Sequence, residues 1–242
     1  AAPKGTGDNA YIYLPTGNNM YTVRGTIPVL ENDFSISGAI VEPASWFAKD
    51  LGDKVKAGQK PLLCSDLSTY QVANVGDDFK PVYTYKSPAL DSIVYWFLQK
   101  SINLYGECLL KTIAAEQQGI GRTDSGIAIL KHFWKDKGID PDELNIYDGS
   151  GLSPLNRVTT HAEVMALKYA KTRPWYPAFY QALPEYNGMK MKSGTISDVK
   201  GYCGYHTAKN GKEYIFSILV NNYSGTTSGV VSKMFKVLDS LK

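Results

Sequence analysis

Residues 191–222 read MKSGTISDVKGYCGYHTAKNGKEYIFSILVNN, and this stretch decides the fold class. Tyr202–Thr207 and Glu213–Val220 both alternate in strand fashion around Asn210-Gly211. That dipeptide tolerates positive φ, so the spacing predicts a type I′ hairpin there. Alternation sets Tyr202, His206, Tyr214, Phe216, Ile218 and Val220 apart from Cys203, Tyr205, Ile215 and Leu219. Both sets are apolar enough to want a cover, since burying each large side chain is worth about 1.5–3 kcal/mol. Thr227–Leu241 follows as an amphipathic helix. A sheet with a helix against it, preceded by further helices, is an α+β arrangement.

Outward from this unit, Ser87-Pro88 reads as a helix start, with Pro at the first helical position. Ile93, Val94, Phe97 and Leu98 then share one helical face. A polar break, Lys100-Ser101-Ile102-Asn103, separates this helix from a second that ends near Gly119. A third runs over about 124–137 and stops at Gly138, and Thr160 with Glu163 opens a fourth as a capping box. The texture before residue 80 differs. Ala10–Leu14, Met20–Leu30 and Phe34–Val41 read as strands of a meander, parted by Gly17-Asn18-Asn19 and Glu31-Asn32-Asp33. Residues 43–57 read as a helix with Pro43 near its start and Gly58 stopping it. Residues 59–80 are turn-rich, and Pro81–Lys86 alternates like another strand. A boundary is expected near residue 80.

The 242 residues, 43% apolar and 20% charged, have an ordinary globular balance. Net charge is +3 and the chain has only four Arg, which provides no concentrated basic face and sets nucleic-acid binding aside. No apolar run approaches the length of a membrane span. The start, AAPKGTGDNA, has no signal-peptide pattern, so the expectation is a cytosolic protein or one whose leader has been removed. Cys64, Cys108 and Cys203 allow at most one disulfide and contain no C-x-x-C pair.

Three short stretches can carry chemistry: Ser101-Ile102-Asn103 between two helices, the loop Asp148-Gly149-Ser150-Gly151-Leu152-Ser153 with Asn156 beyond it, and Lys192-Ser193-Gly194-Thr195 at a strand start. Each has a plain structural reading alone. Ser101 and Asn103 are good helix caps, the loop is an ordinary turn, and Lys192 is a solvated strand end. Other candidates are poorer. Cys203 and His206 point to opposite faces of a strand and make a poor metal pair. Asp140 and Asp142 lie in a loop without a partner signal, and Glu107 reads as a solvated or capping carboxylate rather than a general acid.

Taken together and in order, K-S-x-N followed by K-[ST]-G is the second and third signature of the penicillin-recognising serine acyl enzymes. KSINLYGECLLKTI, DGSGLSPLNRVT and MKSGTISDVKGYCGYHTAKNGKEYIFSILVNN resemble the low-molecular-mass D-alanyl-D-alanine carboxypeptidases of the penicillin-binding-protein-4 type. The resemblance implies an α+β penicillin-binding, transpeptidase-like domain with an antiparallel sheet flanked by helices. Residues 81–242 would be the C-terminal part of that domain, and residues 1–80 the end of a β-rich accessory insertion. It implies catalytic roles for Ser101, Asn103 and Lys192, and substrate binding by Ser193, Gly194 and Thr195, with Ser153 and Asn156 near the site. Ser193 stands where the family commonly has Thr and keeps the hydroxyl.

The family's first signature, S-x-x-K, carries the nucleophile and precedes S-x-N. The one match here, Ser197-Asp198-Val199-Lys200, follows K-S-G and reads as chance. The expectation is therefore a chain without its nucleophile segment, inactive and incompletely covered by itself, whose partner is its own N-terminal half, in the same chain or as a separate one. The other implied partners are peptidoglycan peptides ending in D-Ala-D-Ala and β-lactams, with no metal or cofactor, no nucleic acid and no membrane span, in the periplasm or elsewhere in the cell envelope. The rival reading is a non-catalytic cell-wall module of the same fold that binds peptide or partners. A third reading, coincidental motifs in an inert domain, places Ser101 and Lys192 far apart.

Overall fold

Strand alternation, left-handed helix stops at Ser101, Gly119 and Gly138, and two apolar sheet faces produce most of the architecture. The computed structural model describes residues 1–4, 9–15, 20–57, 83–196 and 198–242. They divide into two units, Ala1–Thr84 and Tyr85–Lys242. The expected turn at residues 17–19, the Gly58 stop, the 59–80 stretch, the first two residues of the Pro81–Lys86 strand, Cys64 and Ser197 lie outside the described residues.

In the first unit, β1 (Asn9–Tyr13) pairs antiparallel with β2 (Thr22–Thr26), Asn9 opposite Thr26 and Tyr13 opposite Thr22. An isolated bridge joins Ala2 to Pro28. Helix α1 spans Pro43–Ala57, as its Pro at the first position favours. The expected meander is corrected. Phe34–Val41 forms no strand. Its alternation has no neighbouring strand to answer it among the described residues, and an unpaired strand leaves its backbone groups to solvent. Tyr83–Lys86 is likewise irregular and exposed.

The second unit opens with α2 (Leu90–Lys100) and α3 (Asn103–Gln118). The helix start is displaced from Ser87-Pro88: Ala89 is the N-cap and makes no side-chain bond. Helix α4 (Thr123–Asp136) ends before Gly138, whose φ is +87°. Short β3 (Leu144–Asn145) and β4 (Arg157–Val158) pair antiparallel. Helix α5 covers Thr160–Lys171, and its cap is Thr159, whose Oγ1 accepts from Ala162 N at 3.0 Å. The capping box expected at Thr160 and Glu163 is therefore one residue out of phase, and Glu163 turns to the sheet instead. Helix α6 is Tyr176–Ala182.

The main sheet has order β5-β6-β7-β8, all antiparallel, built from Glu185–Tyr186, Met189–Ile196, Val199–Thr207 and Glu213–Asn221. The type I′ geometry falls at a different turn from the one expected. Between β5 and β6, Asn187 and Gly188 have φ of 51° and 69°, the paired positive values of a type I′ turn. At Asn210-Gly211 only Gly211 is positive, and Gly211 N bonds Ala208 O while Ala208 N bonds Lys212 O, so the hairpin closes through a three-residue loop with a bulge glycine.

Helix α7 (Thr227–Leu238) covers one sheet face, where Met189, Met191, Tyr202 and Phe216 pack with Met234 and Leu238. On the other face Leu183, Leu167 and Tyr205 pack with Leu98, Tyr176, Phe179, Tyr180, Cys203 and Ile215. Ile139, Leu144 and Ala162 form a third cluster with Trp134 and Val158. Among the described residues no helix is long and apolar enough to cross a membrane. Met191 is 0% exposed, so Met191→Ala is expected to lower stability by about 2–5 kcal/mol, read as a fall in urea midpoint at unchanged m-value.

Candidate active site

Helix α2 ends because Ser101 adopts the left-handed conformation, φ 52° and ψ 48°. For a residue with a Cβ this geometry costs roughly 1–3 kcal/mol and is met chiefly where function or strong local constraint holds it. Ile102 is the N-cap of α3 without a side-chain bond, and Asn103 is its first residue. Neither Ser101 nor Asn103 therefore serves as the side-chain cap that their residue types suggested. Both are exposed.

Lys192, on β6, reaches this break. Its Nζ donates to Ser101 Oγ at 3.0 Å across 91 residues of sequence and to Ser193 O at 2.9 Å. Burial pushes its pKa below the ordinary lysine value, and Cys203 works in the opposite direction. Register places Lys192 opposite Cys203, and Cys203 opposite Ser217, on one face of the sheet. Ser217 Oγ donates to Glu163 Oε2 at 2.5 Å. Burial raises the Glu163 carboxyl, partly offset by that bond. The Cys203 thiol is pushed up to about 12, chiefly by burial and then by Glu163, so it stays protonated and is no nucleophile at neutral pH.

Ser193 and Thr195 point to the opposite face, opposite Tyr202 and Lys200 respectively. Lys200 Nζ donates to Thr195 Oγ1 at 2.7 Å. The outer edge of β6 is paired at Met189 and Lys190 by β5, and Met191 N bonds Pro184 O at 3.0 Å. Beyond Met191, with Gly194 and Thr195 exposed, no strand among the described residues pairs this edge, and an extended chain can add to the sheet there.

The Asp148–Asn156 loop rests on α3. A Cβ on Gly106 would meet Gly149 O at 2.2 Å, and one on Gly149 would meet Gly106 O at 2.3 Å, so the two backbones touch where only glycine fits. Glu107 Oε1 accepts from Gly149 N and Ser150 N at 3.1 and 3.0 Å. This corrects the reading of Glu107 as a solvated or capping carboxylate: it ties the loop to the helix. Asn103 and Glu107 are four residues apart on α3, so the loop is anchored on the Asn103 side. Asp148 accepts from Gly151 N and Ser153 N, each at 2.6 Å, and from Asn156 Nδ2 at 2.9 Å. Asn156 Oδ1 accepts from Tyr147 N, and Ser153 Oγ from Leu155 N. Ser153 and Asn156 are thus engaged inside their own loop. No sequence spacing signals the Glu107 latch, because its partners lie 42 and 43 residues away.

A cavity of about 270 Å³ at the hairpin end of the sheet is lined by Tyr176, Tyr180, Tyr205 and the mutually paired Lys171 and Glu213. It lies apart from the Ser101–Lys192 pair.

Among known proteins, the D-Ala-D-Ala carboxypeptidase 3 (S13) family matches residues 5–185, a span that includes Ser101-Ile102-Asn103 and stops short of Lys192. A D-alanyl-D-alanine carboxypeptidase of Actinomadura sp. (strain R39) is 28% identical over 242 residues, which is 91% of this chain and 45% of that protein. The chain thus spans about half the length of that relative. In structure it is similar to penicillin binding protein 4 of Haemophilus influenzae, solved in complex with a β-lactam, at TM-score 0.71 and 17% identity over 96% of this chain and 58% of that one. A second structure of the same protein gives TM-score 0.69 at 17% identity, covering 95% and 55%. The fold is that of the penicillin-recognising proteins.

Desolvation raises the Asp148 carboxyl, and its bonds to Ser153 N, Asn156 and Gly151 N outweigh this, leaving its pKa below the ordinary value. Its stabilising contribution is therefore complete above about pH 4 and is lost as pH falls through the lowered folded value. Asp148→Asn is expected to flatten that part of the acid limb in a stability-versus-pH titration. An acid limb identical to wild type would remove Asp148 as its source.

Proposed function

The chain belongs to the D-Ala-D-Ala carboxypeptidase 3 (S13) family, and from that premise we propose that it is the S-x-N and K-S-G part of a serine hydrolase acting on peptidoglycan stem peptides. The observation that carries this reading is the 3.0 Å bond from Lys192 Nζ to Ser101 Oγ. Convergence of two motifs so distant in sequence is what acyl transfer needs and what chance matches do not supply.

The roles follow from charge and proton movement. A serine supplied from outside these 242 residues gives its hydroxyl proton to a neutral lysine base beside it, also outside them, and attacks the carbonyl carbon of the penultimate D-Ala. Its Oγ–C bond forms as the peptide C–N bond breaks. The Ser101 hydroxyl passes a proton to the departing D-Ala amine, and the Lys192 ammonium, donating to that oxygen, favours the transfer. The Asn103 amide holds the substrate's peptide carbonyl. A backbone N–H of β6 forms half of the oxyanion hole, and Ser193 and Thr195 receive the terminal carboxylate, with Gly194 admitting the substrate backbone. Ser153 and Asn156, engaged inside their own loop, support the site from behind, where Glu107 holds that loop beside Asn103. Water then hydrolyses the ester, giving carboxypeptidase action or, on a cross-link, endopeptidase action. β-Lactams acylate the same serine.

Helix α2 has no buried residue, and Leu90, Tyr95 and Trp96 are exposed on it. Unburied apolar surface of this extent supports a covering segment, the N-terminal half that bears the nucleophile, in the same chain or as a separate one. Residues 1–80 then belong to the end of an accessory insertion, residues 81–242 complete the catalytic domain, and the protein works in the cell envelope, in the periplasm or an equivalent exported site.

Fluorescent penicillin followed by gel electrophoresis tests this. The intact protein is expected to take a covalent label, and residues 1–242 alone none. Lys192→Ala in the intact protein is expected to slow labelling about 10²–10³-fold while leaving the melting transition in place. Unchanged labelling would reject the role of Lys192. Absence of label on native, intact protein would favour the non-catalytic peptide-binding module.

A further inference from the structure

Among the described residues, Lys200 is the charged residue that the fold buries, at 8% exposure. Among the described residues no carboxylate lies within 4.0 Å of its ammonium. Other lysines of this unit have such partners, Lys171 with Glu213 and Lys242 with Asp239. Its Nζ donates to Thr195 Oγ1 at 2.7 Å and stands 4.8 Å from the centre of the Tyr202 ring. An ammonium has three donors, so one hydroxyl and one ring face replace its hydration incompletely. A buried cation in this state is poised for an anion.

Register says which anion can reach it. Ser193 stands opposite Tyr202 and Thr195 opposite Lys200, so both hydroxyls, the ring and the ammonium share one face of the β6–β7 pair. Lys192 and Cys203 share the other. The two lysines therefore serve different groups, Lys192 the Ser101 hydroxyl and Lys200 the hydroxyls of the K-S-G-T strand. Burial and then the charge of Lys192 lower the Lys200 pKa, and an anion bound at the hydroxyls relieves both effects. A peptide lying along the open outer edge of β6 passes Ser193 and Thr195. Neutral hydroxyls alone compensate poorly for the lost hydration of a carboxylate, whereas a charge-assisted bond does so well.

Resting on the function proposed above, we propose that Lys200 is a specificity-determining residue that, through and beside Thr195, receives the free C-terminal carboxylate of the substrate peptide. Lys200 closes the one S-x-x-K match in the chain, so its importance here lies in its register with Thr195 and owes nothing to that motif.

The test compares two peptides of identical sequence, one ending in D-Ala-D-Ala as the free acid and one as the C-terminal amide, with the intact protein. Wild type is expected to prefer the acid in kcat/KM. Lys200→Gln is expected to lower kcat/KM for the acid about 10- to 100-fold more than for the amide, and Lys200→Arg to restore most of the preference. A merely structural lysine moves both peptides equally, so an unchanged acid-to-amide ratio in Lys200→Gln, with its melting transition intact, overturns the proposal. If Lys200→Gln fails to fold, Lys200→Arg is compared with Lys200→Met at the same ratio, and equal ratios overturn it. Wild type that cuts acid and amide alike overturns this inference alone. Wild type that cuts neither and takes no penicillin label overturns the proposed function and this inference with it.

Discussion

The register of β6 against β7 is the constraint on which the site depends. Met189 and Met191, at 1% and 0% exposure, hold one face of β6 against Tyr202, Phe216 and the α7 residues Met234 and Leu238. Because side chains alternate, burying Met189 and Met191 forces Lys190 and Lys192 to the other face and Ser193 and Thr195 to the same face as the methionines. A slip of one residue would reverse every one of these assignments and expel the methionines from the core. The hydrophobic effect thus decides where the charges go. A large, non-directional burial term sets the placement of a small number of polar atoms.

The partner for Lys192 comes from a second constraint, the interruption between α2 and α3. A continuous helix would carry Ser101 and Asn103 round its surface in helical phase. The left-handed Ser101 stops α2, and the chain restarts at Asn103, so both side chains stand at an exposed corner. The corner is stiffened from behind. Gly106 and Gly149 bring helix and loop backbones into contact, and Glu107 and Asp148 between them accept two and three hydrogen bonds from the loop. A loop whose backbone donors are satisfied by carboxylates has little freedom left, and rigid support of this kind keeps reacting groups in register.

Electrostatics separates the two faces of the same strand pair. On one, a desolvated amine, a protonated thiol and a raised carboxyl lie across three strands, Lys192, Cys203 and, through Ser217, Glu163. On the other, Lys200 supports the Thr195 hydroxyl over the Tyr202 ring. The two cations thus stand on opposite faces of one strand pair.

The sequence by itself determined the α+β class, the sheet from Met191 onward and helices α1 to α5 and α7, because local alternation, helical periodicity and stop residues such as Gly138 act within a few residues. It also marked Ser101, Asn103 and Lys192, through motif spacing and family resemblance. Where local signals competed, it was displaced. The sequence points to the two-residue turn at Asn210-Gly211; the structure places it at Asn187-Gly188, which carries the same dipeptide, because loop length and strand register decide which of the two closes in that way. Thr160 reads as the cap of α5 in sequence; the structure caps it at Thr159, with Glu163 turned to Ser217. Phe34–Val41 alternates like a strand, but a strand exists only with a partner. Tertiary structure alone decided the bond between Lys192 and Ser101, the Glu107 latch and the burial of Lys200 beside Thr195. These depend on distances between segments that sequence order does not encode, set when the sheet closes on α7 and on the helices of its other face.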